Sequence, residues 1–366
     1  MPVHTHLQQI RKARGVSAAD LARRVGVSRQ TIYAIEDGSY LPNTAVSLQL
    51  SRALDVKVEE IFSWADEDTV EPVSADLLSN TQADGGGLVK VCRVNERMIA
   101  VPVSSLPAYF PSADGMIESR TKLTASIQLP AGLPESGKRL LVAGCDPALS
   151  LLNETLHASG IEIVNISCSS RCALQWLKQG KVHAAGSHLL DRATGEYNVP
   201  FIRRLLPSEP VRVVTFAVWE QGMVLPRGNP KGIRSVADLG SSGITIINRE
   251  PGSGSRNLLD AHLRQAGIAS KQIKGYDSHA PGHLAAAYAV AAGTADCCIA
   301  PRSAARCFGL EFVPLAVERF DLAFTGTSLE LPAVKALLDT LNRSHLRRKL
   351  QCMAGYDTAH TGEVLV

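Results

Sequence analysis

The chain has 366 residues, 45% hydrophobic and 20% charged, with a formal net charge of +3. That length supports two or three domains with proper cores, and the charge is too small to mark a nucleic-acid binder by itself. No run of about 18 apolar residues appears and the N-terminus MPVHTHLQQIRKARG has no apolar leader segment, so neither a helical membrane span nor a secretory signal is expected.

The protein is therefore expected in the cytoplasm, with its eight cysteines mostly as reduced thiols. Residues 1–66 read as an all-α unit. Leu7, Ile10 and Ala13 space a first helix, which Gly15 ends. Ser17 is a good N-cap for Ala18–Val25, and Ser28 for Arg29–Glu36. A further helix over Thr44–Leu54 follows Pro42-Asn43, and Val58–Phe62 completes the unit. Two short helices joined by a Gly-containing turn form a helix-turn-helix pattern.

Residues 67–130 change character. Acidic and glycine-rich stretches up to Gly87 predict a linker with a short helix at most. Leu88–Val91 and Met98–Val103 predict a hairpin through Asn95-Glu96, part of a small β-rich module, with another turn at Asp114-Gly115. From residue 131 to 366, strand and helix patterns alternate. Strands are predicted at Arg139–Ala143, Ile161–Ile166, Val182–Ala185, Val211–Val218, Gly243–Ile247, Ala295–Ala300 and Phe312–Leu315. Helices are predicted at Ala148–Ala158, Arg171–Gln179, Val236–Leu239, His283–Ala291, Ala304–Phe308 and across most of Leu331–Leu350. This alternation predicts α/β lobes with open, mainly parallel sheets.

Within that region Asn248–Asp260, NREPGSGSRNLLD, stands out. It reads as strand, Gly/Ser turn, helix. A helix start offers unpaired backbone N–H groups and the positive dipole end, which suit an anion. Arg249, Ser253, Gly254, Ser255 and Arg256 would supply donors, charge and close approach. The same turn would also serve as an ordinary helix cap with a solvated arginine.

The N-terminal unit resembles the Xre/Cro-type helix-turn-helix family. The resemblance is carried by Leu21-Ala22, Val25-Gly26-Val27-Ser28, Thr31-Ile32, Ile35-Glu36, Gly38, Pro42, Leu50-Ser51, Ala53-Leu54 and Ile61-Phe62. It implies that the second helix of the motif enters the major groove. Ser28, Arg29, Gln30 and Thr31 would then face base edges, with Tyr33 near the backbone. Double-stranded operator DNA is the implied partner, and paired half-sites imply a homodimer or higher homo-oligomer.

The C-terminal region resembles the type 2 periplasmic-binding-protein fold, and more narrowly the cytoplasmic domain of that fold in bacterial regulators that is often described as molybdate-binding. The matching words run from Ala143-Gly144-Cys145-Asp146-Pro147-Ala148-Leu149 through Ala185–Asp191, Thr194–Asn198, Gly228-Asn229-Pro230 and Gly252–Arg256 to Glu318–Asp321. The resemblance implies a ligand between two lobes, lobe 1 at about 138–220 plus 313–366 and lobe 2 at about 224–310. Chain crossings are expected near Trp219–Met223 and Val313–Leu315. Cleft candidates are Cys145, Asp146, Ser167, Ser187, His188, Arg249, Ser253, Gly254, Ser255, Arg256 and His283. Asp191 and Asp321 are read as fold-holding carboxylates.

The whole reads as a multidomain one-component regulator, with no catalytic residue assigned and no cofactor. Its effector is expected to be an oxyanion such as molybdate or tungstate, a choice resting on the resemblance. Alternatives are a soft metal or thiol-redox signal read by Cys145, Cys168, Cys172, Cys297 and Cys298, or a small organic anion. An enzyme built on Ser253 or Cys145 is also conceivable, though no GxSxG motif is present.

Overall fold

The computed structural model describes residues 3–64, 72–78, 87–103, 112–130 and 137–366. It divides into two compact units, Met1–Pro72 with Gln128–Gly132, and Val73–Ile127 with Leu133–Val366. The acidic and glycine-rich runs expected to form a linker lie outside the described residues, apart from Pro72 and Gly87.

The first unit holds α1 (Leu7–Ala13), α2 (Ala18–Val25), α3 (Arg29–Glu36), α4 (Thr44–Leu54) and α5 (Val58–Ile61). Short strands β1 (Val3–Thr5) and β2 (Phe62–Trp64) pair antiparallel at its ends, a pairing the helical pattern did not reveal. Both predicted caps are present: Ser17 Oγ accepts from the Asp20 N–H and Ser28 Oγ from Thr31. Asn43, read only as part of a turn, also caps, its Oδ1 accepting from the Val46 N–H. Leu7, Leu21, Val25, Ile32, Ile35, Leu50 and Ile61 form the core, each burial favourable by roughly 1.5–3 kcal/mol. Arg11 ties α1 to α3 through a two-pronged bond to Glu36 at 2.5 and 3.0 Å.

The middle module is more regular than expected. β3 (Val73–Leu77), β4 (Leu88–Val94), β5 (Arg97–Pro102), β6 (Gly115–Arg120) and β7 (Thr124–Gln128) close a barrel in the order β3-β5-β4-β6-β7. The expected helix-or-linker assignment is thus wrong at Val73–Leu77, which is a strand paired with both β5 and β7. Its V-S-A-D-L alternation is the half-buried strand signal, too short to stand out beside the acidic run. Gly115 begins a strand, and Asp114 accepts from Val91 N at 2.7 Å and from Arg139.

The two-lobe sensor starts with β8 (Arg139–Ala143), a 3-10 turn at Pro147–Leu149, α6 (Ser150–His157), β9 (Glu162–Ile166), α7 (Ser170–Lys178), β10 (Ala184–Ser187) and α8 (Val199–Leu205). β11 (Val211–Leu225) then crosses to lobe 2, which carries β12 (Asn248–Arg249), α9 (Gly254–Gln265), β13 (His279–Ala280), α10 (His283–Ala291), β14 (Cys298–Pro301) and α11 (Arg302–Cys307). β15 (Glu311–Thr325) returns, followed by α12 (Gly326–Leu329), α13 (Pro332–Leu341), α14 (Ser344–Cys352) and β16 (Tyr356–Asp357).

The sheet order is β14-β11-β15-β10-β8-β9, with β16 on β11. Within this sheet the β10-β8 and β8-β9 ladders are parallel, while β15 pairs antiparallel with β10 and β11 pairs antiparallel with β14, β15 and β16; in lobe 2 β12 and β13 pair parallel. The mainly parallel expectation fails because both crossings are long strands, not the short ones anticipated at Val211–Val218 and Phe312–Leu315. β11 and β15 pair over their whole lengths, with register breaks at Thr215/Ala217 and Gln221/Gly222. At the second break a Cβ on residue 222 would lie 2.2 Å from the Val313 carbonyl, so glycine is needed where the ribbon passes between lobes. The predicted strand Gly243–Ile247 survives only as bridges from Thr245 to Lys274 and Ile246 to Cys297.

Lobe 1 packs apolar side chains on both sheet faces. One face joins Leu140, Val142, Trp219, Phe320, Val334 and Leu337. The other joins Leu141, Val164, Leu174 and Trp176 to barrel residues Cys92, Val94, Ile99 and Val101. Arg139, bonded to Asp114 and Glu162, and Lys90, paired with Glu162, close the polar edge of that barrel seam.

Candidate functional site

Three ends of elements meet between the lobes. β8 ends at Ala143, and Gly144-Cys145-Asp146 turns the chain into the first helical turn. Asp146 caps that turn, its Oδ1 accepting from the Ala148 N–H at 2.9 Å and from the Tyr356 hydroxyl at 2.5 Å. Its Oδ2 is buried without a partner, and burial pushes its carboxyl up to about 6 despite these bonds and the nearby His188 charge.

β10 ends at Ser187 and delivers His188. The ring sits against Trp219 and Phe320, at centroid distances of 5.2 and 6.1 Å. Its Nδ1 bonds Glu318 Oε2 at 2.7 Å. Burial alone would lower its pKa, but Cys145 and Glu318 outweigh that and raise it to about 10. From lobe 2, Gly282 caps α10 and places His283 5.5 Å from the Trp219 ring and 6.3 Å from His188, centroid to centroid. His283 is buried with neither ring nitrogen hydrogen-bonded. Burial, the Arg249 charge and the His188 charge keep its pKa well below the usual histidine value, so it is a neutral imidazole at pH 7.

The Gly/Ser turn forms the other wall. Ser253 caps α9, accepting from the Arg256 N–H at 3.4 Å. Ser255 Oγ donates to Gln221 Oε1 at 3.4 Å. Arg249 is 2% exposed; two of its nitrogens bind Glu250 at 2.8 and 2.9 Å, and its Nη1 has no partner. Ser187 Oγ, Gln221 Nε2 and Trp219 Nε1 are likewise buried without partners. Gly254 touches His188, since a Cβ there would lie 2.1 Å from His188 Cε1. The lobes are therefore closed on each other at this point.

A cleft of about 250 Å³ opens beside this contact, lined by Cys145, Asp146, Asn165, Ser167 and His283 among others. A larger groove of about 1560 Å³ runs past Arg171, His188, Gly254, Tyr276 and Glu318.

Of the cleft candidates, Cys145, Asp146, Ser167 and His283 line the smaller cleft and His188 and Gly254 the larger groove, whereas Ser187, Arg249, Ser253, Ser255 and Arg256 line neither. Arg256 behaves differently from the expectation of a ligand clamp: it bonds the Arg249 carbonyl at 3.4 Å and lies over the Tyr276 ring at 4.5 Å, supporting the turn. Glu318, Gln221 and Trp219 escaped sequence reasoning as site residues, because the long crossing strands that carry them were read as short. Asp191 bonds Arg204 at 2.6 Å, and Asp321 bonds Asn198 at 2.7 Å and Arg319 at 3.1 Å, as fold-holding carboxylates would.

The five-cysteine cluster does not form. Cys297 is buried in the lobe 2 core beside Ile246 and Ile299, while Cys298 packs with Ala286 and Ala300 on the opposite face. Burial raises both thiols, Cys298 to about 12. Cys168 and Cys172 bond each other across the start of α7; burial and this bond raise Cys168, while the bond lowers Cys172 against the opposing effect of burial. Strand alternation explains the split: adjacent residues 297 and 298 must point to opposite faces.

On the DNA side, Ser28, Arg29 and Gln30 are exposed at the start of α3, and Thr31 is half-buried. Arg29 Nη2 donates to the Tyr33 hydroxyl at 2.8 Å. Ile32 and Ile35 face the core, so the polar residues occupy the free face.

Residues 152–342 match the family described as PBP superfamily domain, and residues 7–61 match the Helix-turn-helix family. Protein YvgK of Bacillus subtilis (strain 168) is 32% identical over 240 residues, covering 65% of this chain and 77% of that protein. An HTH-type transcriptional regulator of Methanocaldococcus jannaschii is 39% identical over 62 residues, 17% of this chain and 94% of its own. Among solved structures, the sulfate-binding protein SubI from Mycobacterium tuberculosis H37Rv superposes with a TM-score of 0.46 at 22% identity, over 60% of this chain and 86% of that one. The chain belongs to the PBP superfamily, as a helix-turn-helix transcriptional regulator fused to a PBP-like ligand-binding domain.

Proposed function

We propose that this regulator is controlled by a small oxyanion, molybdate or tungstate foremost, held where the lobes close, and that occupancy changes its affinity for operator DNA. The observation that carries the reading is the set of buried donors without partners: Arg249 Nη1, Ser187 Oγ, Gln221 Nε2 and Trp219 Nε1. A buried donor left unpaired costs about 1–3 kcal/mol, so these four, drawn from both lobes and from the β11 crossing, favour a ligand rich in acceptors. The start of α9 adds backbone N–H groups and a positive dipole end. Molybdate over other oxyanions is favoured by the family resemblance. Asp146 lines the smaller cleft beside the lobe contact, and its carboxyl, raised by burial to about 6, would repel an anion there when ionised, so binding should strengthen as pH falls through about 6.

The reader would be Ser28, Arg29, Gln30 and Thr31, with Tyr33 at the backbone, acting in a dimer on paired half-sites. The effector must bind the two sensor conformations with different affinity, by about 1–3 kcal/mol, to switch the reader. The test is fluorescence anisotropy of the full chain on an operator selected from random DNA, with and without molybdate. A change of about 5–150-fold in affinity is expected; the same affinity with and without each oxyanion would refute the reading.

A further inference from the structure

Cys145, His188 and His283 bring one thiol and two imidazoles to a single buried point. Their ligating atoms all lie within 4.8 Å of one another, and this is the one such group among the described residues. We infer that these three side chains form a transition-metal site of the zinc type that bridges the two lobes. Cys145 and His188 come from lobe 1, ahead of the β11 crossing; His283 comes from α10 in lobe 2.

Four observations carry this. The donor set, one Cys and two His, offers the sulfur and nitrogen ligands that zinc takes, three in number as in sites that keep a fourth position open. His188 gives one ring nitrogen, Nδ1, to Glu318 at 2.7 Å and its ring also bonds Cys145, so an ion would take the place of the proton held between ring and thiol; metal-bound histidines are commonly oriented by a carboxylate in this way. His283 is 1% exposed and neither of its ring nitrogens has a hydrogen-bond partner. A structural histidine at that depth would bond at least one neighbour. Finally, Gly254 lets α9 press onto His188, so the closed state is the one that brings His283 to the pair from lobe 1.

Zinc would hold these atoms at Zn–S about 2.3 Å and Zn–N about 2.0–2.1 Å, a spacing compatible with ligand atoms that already lie within 4.8 Å of one another. The ion would pin the closed state, which makes metal occupancy a second input to the switch. Cys145, His188 and Glu318 also stand in the order of a thiol nucleophile, base and orienting carboxylate. That arrangement has no use for the unpartnered His283, which is why the metal is preferred. The inference uses atoms other than the donors assigned to the oxyanion, so either can fail alone.

The test uses the full chain, reduced and stripped with a chelator, then titrated with Co(II) as a spectroscopic probe and with Zn(II). One Co(II) per chain with a thiolate-to-cobalt charge-transfer band is expected. The band should vanish in Cys145→Ser and persist in Cys168→Ser. Affinity should fall at least tenfold in His283→Gln, and about 10–100-fold in Glu318→Gln. X-ray absorption on the zinc-loaded natural chain needs no variant and should read one sulfur and two imidazole nitrogens. No stoichiometric binding, a band that survives Cys145→Ser, an unchanged affinity in His283→Gln, or an all-oxygen shell would each overturn the site.

Discussion

Replacing Gly254 by alanine tests whether closure of the lobes is what the ligand requires. In the closed state the new methyl would stand 2.1 Å from His188 Cε1, 2.6 Å from Nδ1 and 2.8 Å from Nε2. Ordinary carbon contacts are about 3.5–4.0 Å, so a separation of about 1.5 Å must be created. His188 cannot move aside easily. Glu318 fixes its Nδ1, and the Trp219 and Phe320 rings pack against it. The lobes must part instead. Overpacking of this kind costs about 1–3 kcal/mol, charged to the closed state alone, because the open state has no such contact. Alanine is also the better helix former by about 0.5–1 kcal/mol, and Gly254 opens α9 with ordinary helical geometry. Affinity for the effector should therefore fall about 5–150-fold, while the thermal midpoint of the effector-free chain stays level or rises. Calorimetric titration with molybdate, paired with a melting curve, reads both. An affinity equal to that of the natural chain would show that this contact is not part of the binding state.

Three further outcomes are expected. Gln30→Ala should weaken binding to a selected operator by about 1–3 kcal/mol while sparing random DNA; equal losses on both, in competition assays at fixed salt, would remove Gln30 from base reading. Ser28→Ala deletes the α3 cap at Thr31 and should destabilise the N-terminal unit by about 1 kcal/mol, seen as a lower denaturant midpoint for that unit, with no change in effector binding. His188 has a folded pKa raised to about 10 over an ordinary value of about 6.5. Its contribution is full below pH 6.5 and is lost as pH rises through 10, up to roughly 5 kcal/mol. Urea unfolding across pH 6–10 should show that slope in the natural chain and a flatter one in Glu318→Gln; identical slopes would count against the ion pair.

Much of this molecule was legible in the chain. The helix-turn-helix caps at Ser17 and Ser28 were readable because capping is local, decided within four residues. His283–Ala291 was delimited correctly for the same reason: a glycine precedes an alanine-rich helical run. What local pattern could not give was pairing. The strands β11 and β15 are long because each continues on its partner through both lobes, and Trp219–Met223 looks like a break only when its partner strand is out of view. The site shares this split. Cys145, His188 and His283 were each readable as element ends, yet their meeting depends on the crossing strands and on Gly254. Glu318 and Gln221 sit within those strands, in words that carried the resemblance but gave no sign of a place in the site. The cysteines illustrate the opposite error: proximity in sequence at Cys297-Cys298 places the thiols on opposite sides of a strand.

The most direct measurement is calorimetric titration of the full chain with molybdate, tungstate, sulfate and phosphate, beside the Arg249→Gln variant. Arg249 is the buried cation whose Nη1 lacks a protein partner, and glutamine keeps a polar group there without the charge. One oxyanion bound per chain, with binding lost or weakened at least tenfold in Arg249→Gln, is the predicted result. No heat with any of the four anions, or equal binding by the variant, would contradict the oxyanion-controlled regulator.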